Sequence, residues 1–107
     1  GSALSEEDGL IAERCVSYIT QKKTMSEQQR QILLRQDSVY GCDICQEVCP
    51  HNQNLPKTPI AQWRQPTIES LSKELILPMS KREFKRVYHD YSFSWCGKDA
   101  VLKNFVK

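Results

Sequence analysis

The sequence predicts an all-α fold, a small helical domain of about five short helices around a cysteine cluster loop. Three observations carry that prediction. Ser26 with Gln29 and Ser80 with Glu83 are capping boxes, each placed just before a run of helical spacing. Proline and glycine recur between those runs and keep each helix short. Strand-like alternation is confined to Tyr91–Trp95, a stretch too short and too isolated to build a sheet.

The chain has 107 residues, enough for one small domain with a thin core of the kind that metals or cross-links often reinforce. Its 39% hydrophobic and 26% charged residues suit a folded domain, and a formal charge of +2 is too small to indicate nucleic acid by itself. Five cysteines is an odd number, unlike the even set of a secreted disulfide scaffold. No apolar run approaches the roughly 18 residues of a membrane span, and no export signal is visible. The cysteines therefore read as thiolate ligands in a reducing compartment. Gly1-Ser2 and the lack of an opening methionine read as the start of an excised piece of a longer protein.

Taken in order, residues 1–10 are polar. Ser5 to Asp8 matches a capping box that Gly9 interrupts, which predicts a turn or one loose helical turn. Ile11, Cys15, Tyr18 and Ile19 recur at helical spacing, so a helix is expected from Ile11 to about Gln21 with Cys15 inward. A second helix is expected over 26–36, packing through Arg30, Leu33 and Leu34. Gly41 gives the chain room to turn, and Asp43 to Cys49 should be a short helix. Pro50, Pro56, Pro59 and Pro66 keep residues 51–66 irregular, with Trp63 anchoring them on the core. Thr67 should cap a short helix to about Leu75, with Ile68, Leu71 and Leu75 on one face. Lys81 to Tyr88 should bury Phe84, Val87 and Tyr88. Gly97 to Lys107 reads as a last helix with Val101, Leu102 and Phe105 inward.

The chemistry concentrates in Gly41-Cys42-Asp43-Ile44-Cys45-Gln46-Glu47-Val48-Cys49-Pro50. Its C-x2-C-x3-C-P spacing holds the last three cysteines of the bacterial ferredoxin run C-x2-C-x2-C-x3-C-P, and Val39 stands where the first would be. In two-cluster ferredoxins the cysteine before the proline serves the other cluster, which leaves Cys42 and Cys45 sharing one, with Cys15 the natural further ligand. Zinc is the competing occupant: Cys15, Cys42, Cys45 and Cys49, or three of them with His51, could close a tetrahedral site. The x3-C-P ending favours iron–sulfur, though both groups bind thiolates. Cys15 alone also reads as a small core residue.

Other candidates have plainer readings. His51 reads as a surface residue, and His89 as a favourable charge at a helix end. Cys96, in Trp95-Cys96-Gly97, reads as a free or packing thiol. Lys81, Arg82, Lys85 and Arg86 form a basic face, either simply solvated or able to contact RNA phosphates.

Two blocks resemble the double-cluster segment of the epoxyqueuosine reductases. They are Arg14-Cys15-Val16-Ser17-Tyr18-Ile19-Thr20 and Tyr40-Gly41-Cys42 through Cys49-Pro50-His51-Asn52. The later Phe93-Ser94-Trp95-Cys96-Gly97-Lys98 and Leu102-Lys103-Asn104 are similar to the stretch that follows, with Cys96 where arginine is usual and His51 where tryptophan is common. The resemblance implies a partial two-cluster ferredoxin-like module: residues 1–55 as part of the double-cluster segment and 56–107 as a helical C-terminal extension. It implies Cys15, Cys42 and Cys45 as ligands of one [4Fe-4S] cluster and Cys49 as a ligand of another. The other cysteines would come from a run before residue 1. Further implications are a cobalamin domain upstream, a flavodoxin- or ferredoxin-type electron donor, and tRNA as the substrate in queuosine biosynthesis. The expected module is a cytoplasmic monomer without membrane contact, part of an oxidoreductase and inactive alone.

Overall fold

Helix ends and turns account for most of the architecture. The computed structural model describes residues 3–64 and 67–106, the side chain of Arg64 aside, so Gly1-Ser2 and Pro66 lie outside the described residues. A two-residue hairpin opens it: β1 (Leu4–Ser5) pairs antiparallel with β2 (Gly9–Leu10), with Leu4 opposite Leu10. The Ser5 hydroxyl accepts from the Asp8 amide at 2.9 Å, so these residues close a turn, one of the two forms expected of them. Gly9 supplies the positive φ of 66° that ends that turn.

Six α-helices follow among the described residues: α1 (Val16–Gln21), α2 (Glu27–Leu34), α3 (Ile44–Glu47), α4 (Lys73–Ile76), α5 (Lys81–Tyr88) and α6 (Lys98–Leu102). Short 3₁₀ turns at Ala12–Arg14, Pro50–Asn52, Ala61–Arg64 and Ser92–Cys96 complete a mostly helical fold. The helix expected from Ile11 is broken at Cys15, whose backbone is extended (φ −78°, ψ 120°) and caps α1. The capping box of α2 forms as the sequence predicts. Ser26 accepts from the Gln29 amide at 3.2 Å, and the Gln29 side chain accepts from the Ser26 amide at 3.0 Å. Ser80 accepts from the Glu83 amide at 3.0 Å and starts α5.

Several expected packing positions are corrected. In α2, Gln29 and Leu33 are buried while Arg30 is exposed. Tyr18 and Val87 are about 40% exposed rather than buried, because α1 and α5 bury narrower stripes than the helical spacing suggested. No helix starts at Thr67; α4 begins only after Ser72, whose hydroxyl accepts from the Leu75 amide at 3.3 Å, and it buries Ile76 and leaves Leu75 out. Tyr91–Trp95 forms no strand: its 3₁₀ turn inserts Phe93 into the core. The last helix stops at Leu102, and Trp63 is 74% exposed and anchors nothing.

The core has two parts. Val16, Ile19 and Leu33 form one, joined by the partly buried Met25, Ile32, Cys42 and Val106. Ile76, Phe84, Tyr88, Phe93 and Val101 form the other, with Tyr40, Leu71, Met79, Leu102 and Phe105 against it. Tyr88 sits with its ring centroid 5.1 Å from both Phe84 and Phe93, a tilted arrangement that adds to burial. The consecutive residues Phe105 and Val106 pack on different parts, so the C-terminal strand of chain ties the two together.

Candidate cluster site

The approach to the cysteine loop is held at three consecutive residues. The Asn104 side-chain amide donates to the Val39 carbonyl at 2.8 Å. The Tyr40 hydroxyl donates to the Ser92 carbonyl at 3.5 Å and accepts from the Trp95 indole at 3.3 Å. The Gly41 amide donates to Thr20 Oγ1 at 3.0 Å, and Gly41 turns the chain with a φ of 73°. Cys42 then packs against the Val16, Ile19 and Leu33 cluster.

Cys15 is fixed from the other side. Its amide donates to the Ala12 carbonyl and its carbonyl accepts from the Ile19 amide, both at 2.9 Å. Val16, which follows it, belongs to the cluster on which Cys42 packs. Asn104 joins the two halves of this arrangement. It is 3% exposed, its amide donates to the Thr20 carbonyl as well as to that of Val39, both at 2.8 Å, and its Oδ1 accepts from Lys103 Nζ at 2.7 Å. Lys103 Nζ also donates to the Ile19 carbonyl at 3.2 Å. Burial holds the Lys103 ammonium below its usual pKa, partly offset by Cys96. Thr20 is fully buried and its hydroxyl donates to the Ser17 carbonyl at 2.8 Å. Thr20 and Asn104 are polar residues that spacing alone gave no reason to single out.

Cys45 lies within α3 and is exposed, and Cys49 follows α3 and is half-buried. Side-chain amides cover the open end of α3. Asn52 donates to the Gln46 carbonyl at 3.0 Å, and Gln53 donates to the carbonyls of Glu47 at 2.8 Å and Cys49 at 3.3 Å. Pro50, having no amide to satisfy, opens the next turn.

In its chemistry the donor set fits an iron–sulfur cluster. Cys15, Cys42, Cys45 and Cys49 are all free thiols, and all retain some exposure. The structure packs Cys42 on the small core that holds Val16, the residue after Cys15, while Cys45 and Cys49 lie along the loop beyond it. Among the described residues, no three His, Cys, Asp or Glu side chains are gathered into a group that could hold a metal ion. His51 is exposed beside the loop. Cys96 belongs elsewhere, in a cleft lined by α5 and α6 residues.

Comparison with known proteins places this geometry. The 4Fe-4S double cluster binding domain family matches residues 1–52, which contain all four candidate ligands. Over 107 residues the chain is 35% identical to an epoxyqueuosine reductase of Lactococcus garvieae, covering 97% of this chain and 30% of that protein. It is 31% identical to an epoxyqueuosine reductase of Staphylococcus aureus, covering 98% of this chain and 27% of that protein. It is 34% identical to one of Bacillus subtilis, with 97% and 27% covered. The chain thus spans less than a third of the length of these relatives. No solved structure matches it. Among the described residues no helix is long and apolar enough to cross a membrane. On these matches residues 1–52 are a 4Fe-4S double cluster binding segment, and the chain as a whole is homologous to a part of the epoxyqueuosine reductases.

Proposed function

We propose that this chain is the electron-transfer portion of a cobalamin-dependent reductase acting in tRNA queuosine biosynthesis, as the epoxyqueuosine reductases are named for acting on epoxyqueuosine. The supporting observation is the coincidence of the double-cluster match over residues 1–52 with a cysteine loop tied to the helix that Cys15 caps. In this reading Cys15, Cys42 and Cys45 hold one [4Fe-4S] cluster, and Cys49 serves a second or completes the first. A cluster bound there supplies one-electron transfer, and cobalamin held by the rest of a longer protein supplies the reduction itself. The chain's own part is to keep thiolates ready for ligation and to set their surroundings by apolar packing and amide hydrogen bonds. Ile44, Val48, Leu55 and Trp63, all exposed around and beyond the loop, suit contact with that remainder and with a flavodoxin- or ferredoxin-type donor. Residues 1–55 and 56–107 then act as the cluster segment and its supporting extension within one cytoplasmic protein.

Anaerobic reconstitution with iron and sulfide tests this reading. The expected result is about four iron and four sulfide per cluster, lost in Cys42→Ser and Cys45→Ser and kept in Cys96→Ser. One zinc and no iron would replace the electron-transfer role with a structural metal. On this reading cobalamin is held elsewhere in a longer protein, so the 107 residues alone should not reduce epoxyqueuosine. Turnover by the isolated chain would refute that point.

A further inference from the structure

Away from the cysteine loop, a cleft of about 660 Å³ opens where the turn after α1 meets α5 and α6. Three separate segments supply its walls: Lys23 from the turn, Lys81, Arg82 and Lys85 from α5, and Lys98 from the start of α6. Among the described residues Asp99 is the one carboxylate in the lining. It pairs with Lys81 at 3.0 Å, an exposed bridge that binds α5 to α6 and adds little energy. Among the described residues Lys23, Arg82, Lys85 and Lys98 make no ion pair, and with Lys81 and Asp99 the lining carries a formal charge of +4, against +2 for the whole sequence. Like charges brought together from three segments repel, and an anion with several charged oxygens relieves that repulsion best. The Cys96 thiol lies in the same wall, and burial raises its pKa, so the wall gains no negative charge from it near neutral pH.

We propose that this cleft is a phosphate-binding site that engages two or more phosphate groups at once, with Arg82, Lys85 and Lys98 as the principal contacts and Lys23 closing the far side. Arginine offers a planar fork to a phosphate and lysine a point charge, so the set suits phosphate oxygens better than isolated carboxylates. The same chemistry serves a compact polyphosphate or consecutive phosphates of one RNA strand. The site does not depend on iron, so it stands or falls separately from the cluster reading.

The test is calorimetric titration of the purified chain with inorganic pyrophosphate and, separately, with a short single-stranded RNA, each at low and at moderate salt. Binding of either supports the site. Pyrophosphate alone identifies a compact ligand, and RNA alone identifies a strand. Affinity should fall by about tenfold or more with added salt and by a similar factor in the double variant Arg82→Glu, Lys85→Glu. Both side chains are exposed, so the fold should survive the change, and Lys57→Glu, outside the cleft, serves as the control. The bound ligand should also slow maleimide labelling of Cys96, read by peptide mass spectrometry. The proposal is overturned if neither ligand binds, if the control weakens binding as much as the double variant, if Cys96 is not shielded, or if polyglutamate competes as well as pyrophosphate.

Discussion

Asn104 holds two carbonyls from distant parts of the chain, Thr20 on the helix that Cys15 caps and Val39 at the entry to the cysteine loop. Replacing it with alanine leaves both carbonyls and the Lys103 ammonium short of a partner in a buried place. Asn104→Ala should cost about 1–3 kcal/mol in denaturant unfolding. It should also speed hydrogen exchange at the Gly41 amide, whose acceptor Thr20 lies in the same network. Unchanged stability and exchange would show that the network does not hold the loop. Cys96 gives a second prediction at this scale. Burial raises its pKa from 9.0, so the folded state holds the proton that the unfolded chain releases. Its small stabilising contribution is present below pH 9 and is lost as pH rises through the folded value. Alkylation of Cys96 should therefore reach its half-maximal rate above pH 9, at a higher pH than in the urea-unfolded chain.

At the scale of elements, hydrogen bonds near in sequence were the easiest to read. Ser26 with Gln29, Ser80 with Glu83 and the turn at Gly41 could be recognised because each cap or turn is made by residues a few positions apart. Ser26→Ala should destabilise by about 1 kcal/mol, and so should Ser80→Ala, each measured as a lower denaturation midpoint with an unchanged slope. Gly41→Ala meets no atom within 4 Å, so its cost is the backbone strain at φ 73°, about 1–2 kcal/mol. What periodicity misjudged was which positions become buried. Arg30, Tyr18, Val87, Leu75 and Trp63 have the spacing or size of core residues, but helices this short bury only the stripe that meets a neighbour. The extended residue at Cys15 also escaped, since a break in a helix comes from tertiary contacts on both sides and leaves no mark in spacing.

The whole molecule is a plate, 43 × 41 × 19 Å. Its radius of gyration of 15.6 Å exceeds the roughly 13 Å of a compact domain of this length. A plate has little interior, which accounts for a core in two parts and for exposed Leu4, Leu10, Val48 and Leu55. On the proposed reading a bound cluster joins the residue that caps α1 to the cysteine loop. Loading with iron and sulfide should then raise the melting temperature by several degrees, about 4–8 °C for each kcal/mol gained. Chelation should reverse the rise, and calorimetry on both forms checks it.

The cysteine spacing, the prolines and the caps sufficed from sequence alone to predict a helical fold and a thiol loop at 41–50, and the residue blocks around Cys15 and Cys42 carry the resemblance to the epoxyqueuosine reductases. Those features are encoded by neighbours along the chain, and the family match rests on the same residues. Only the tertiary structure decided that Thr20 and Asn104 bind the loop to α1, and that Lys23, Arg82, Lys85 and Lys98 face one cleft. Asn104 reaches across 84 positions to Thr20. Such partners are chosen by how the helices pack, and no local pattern specifies that.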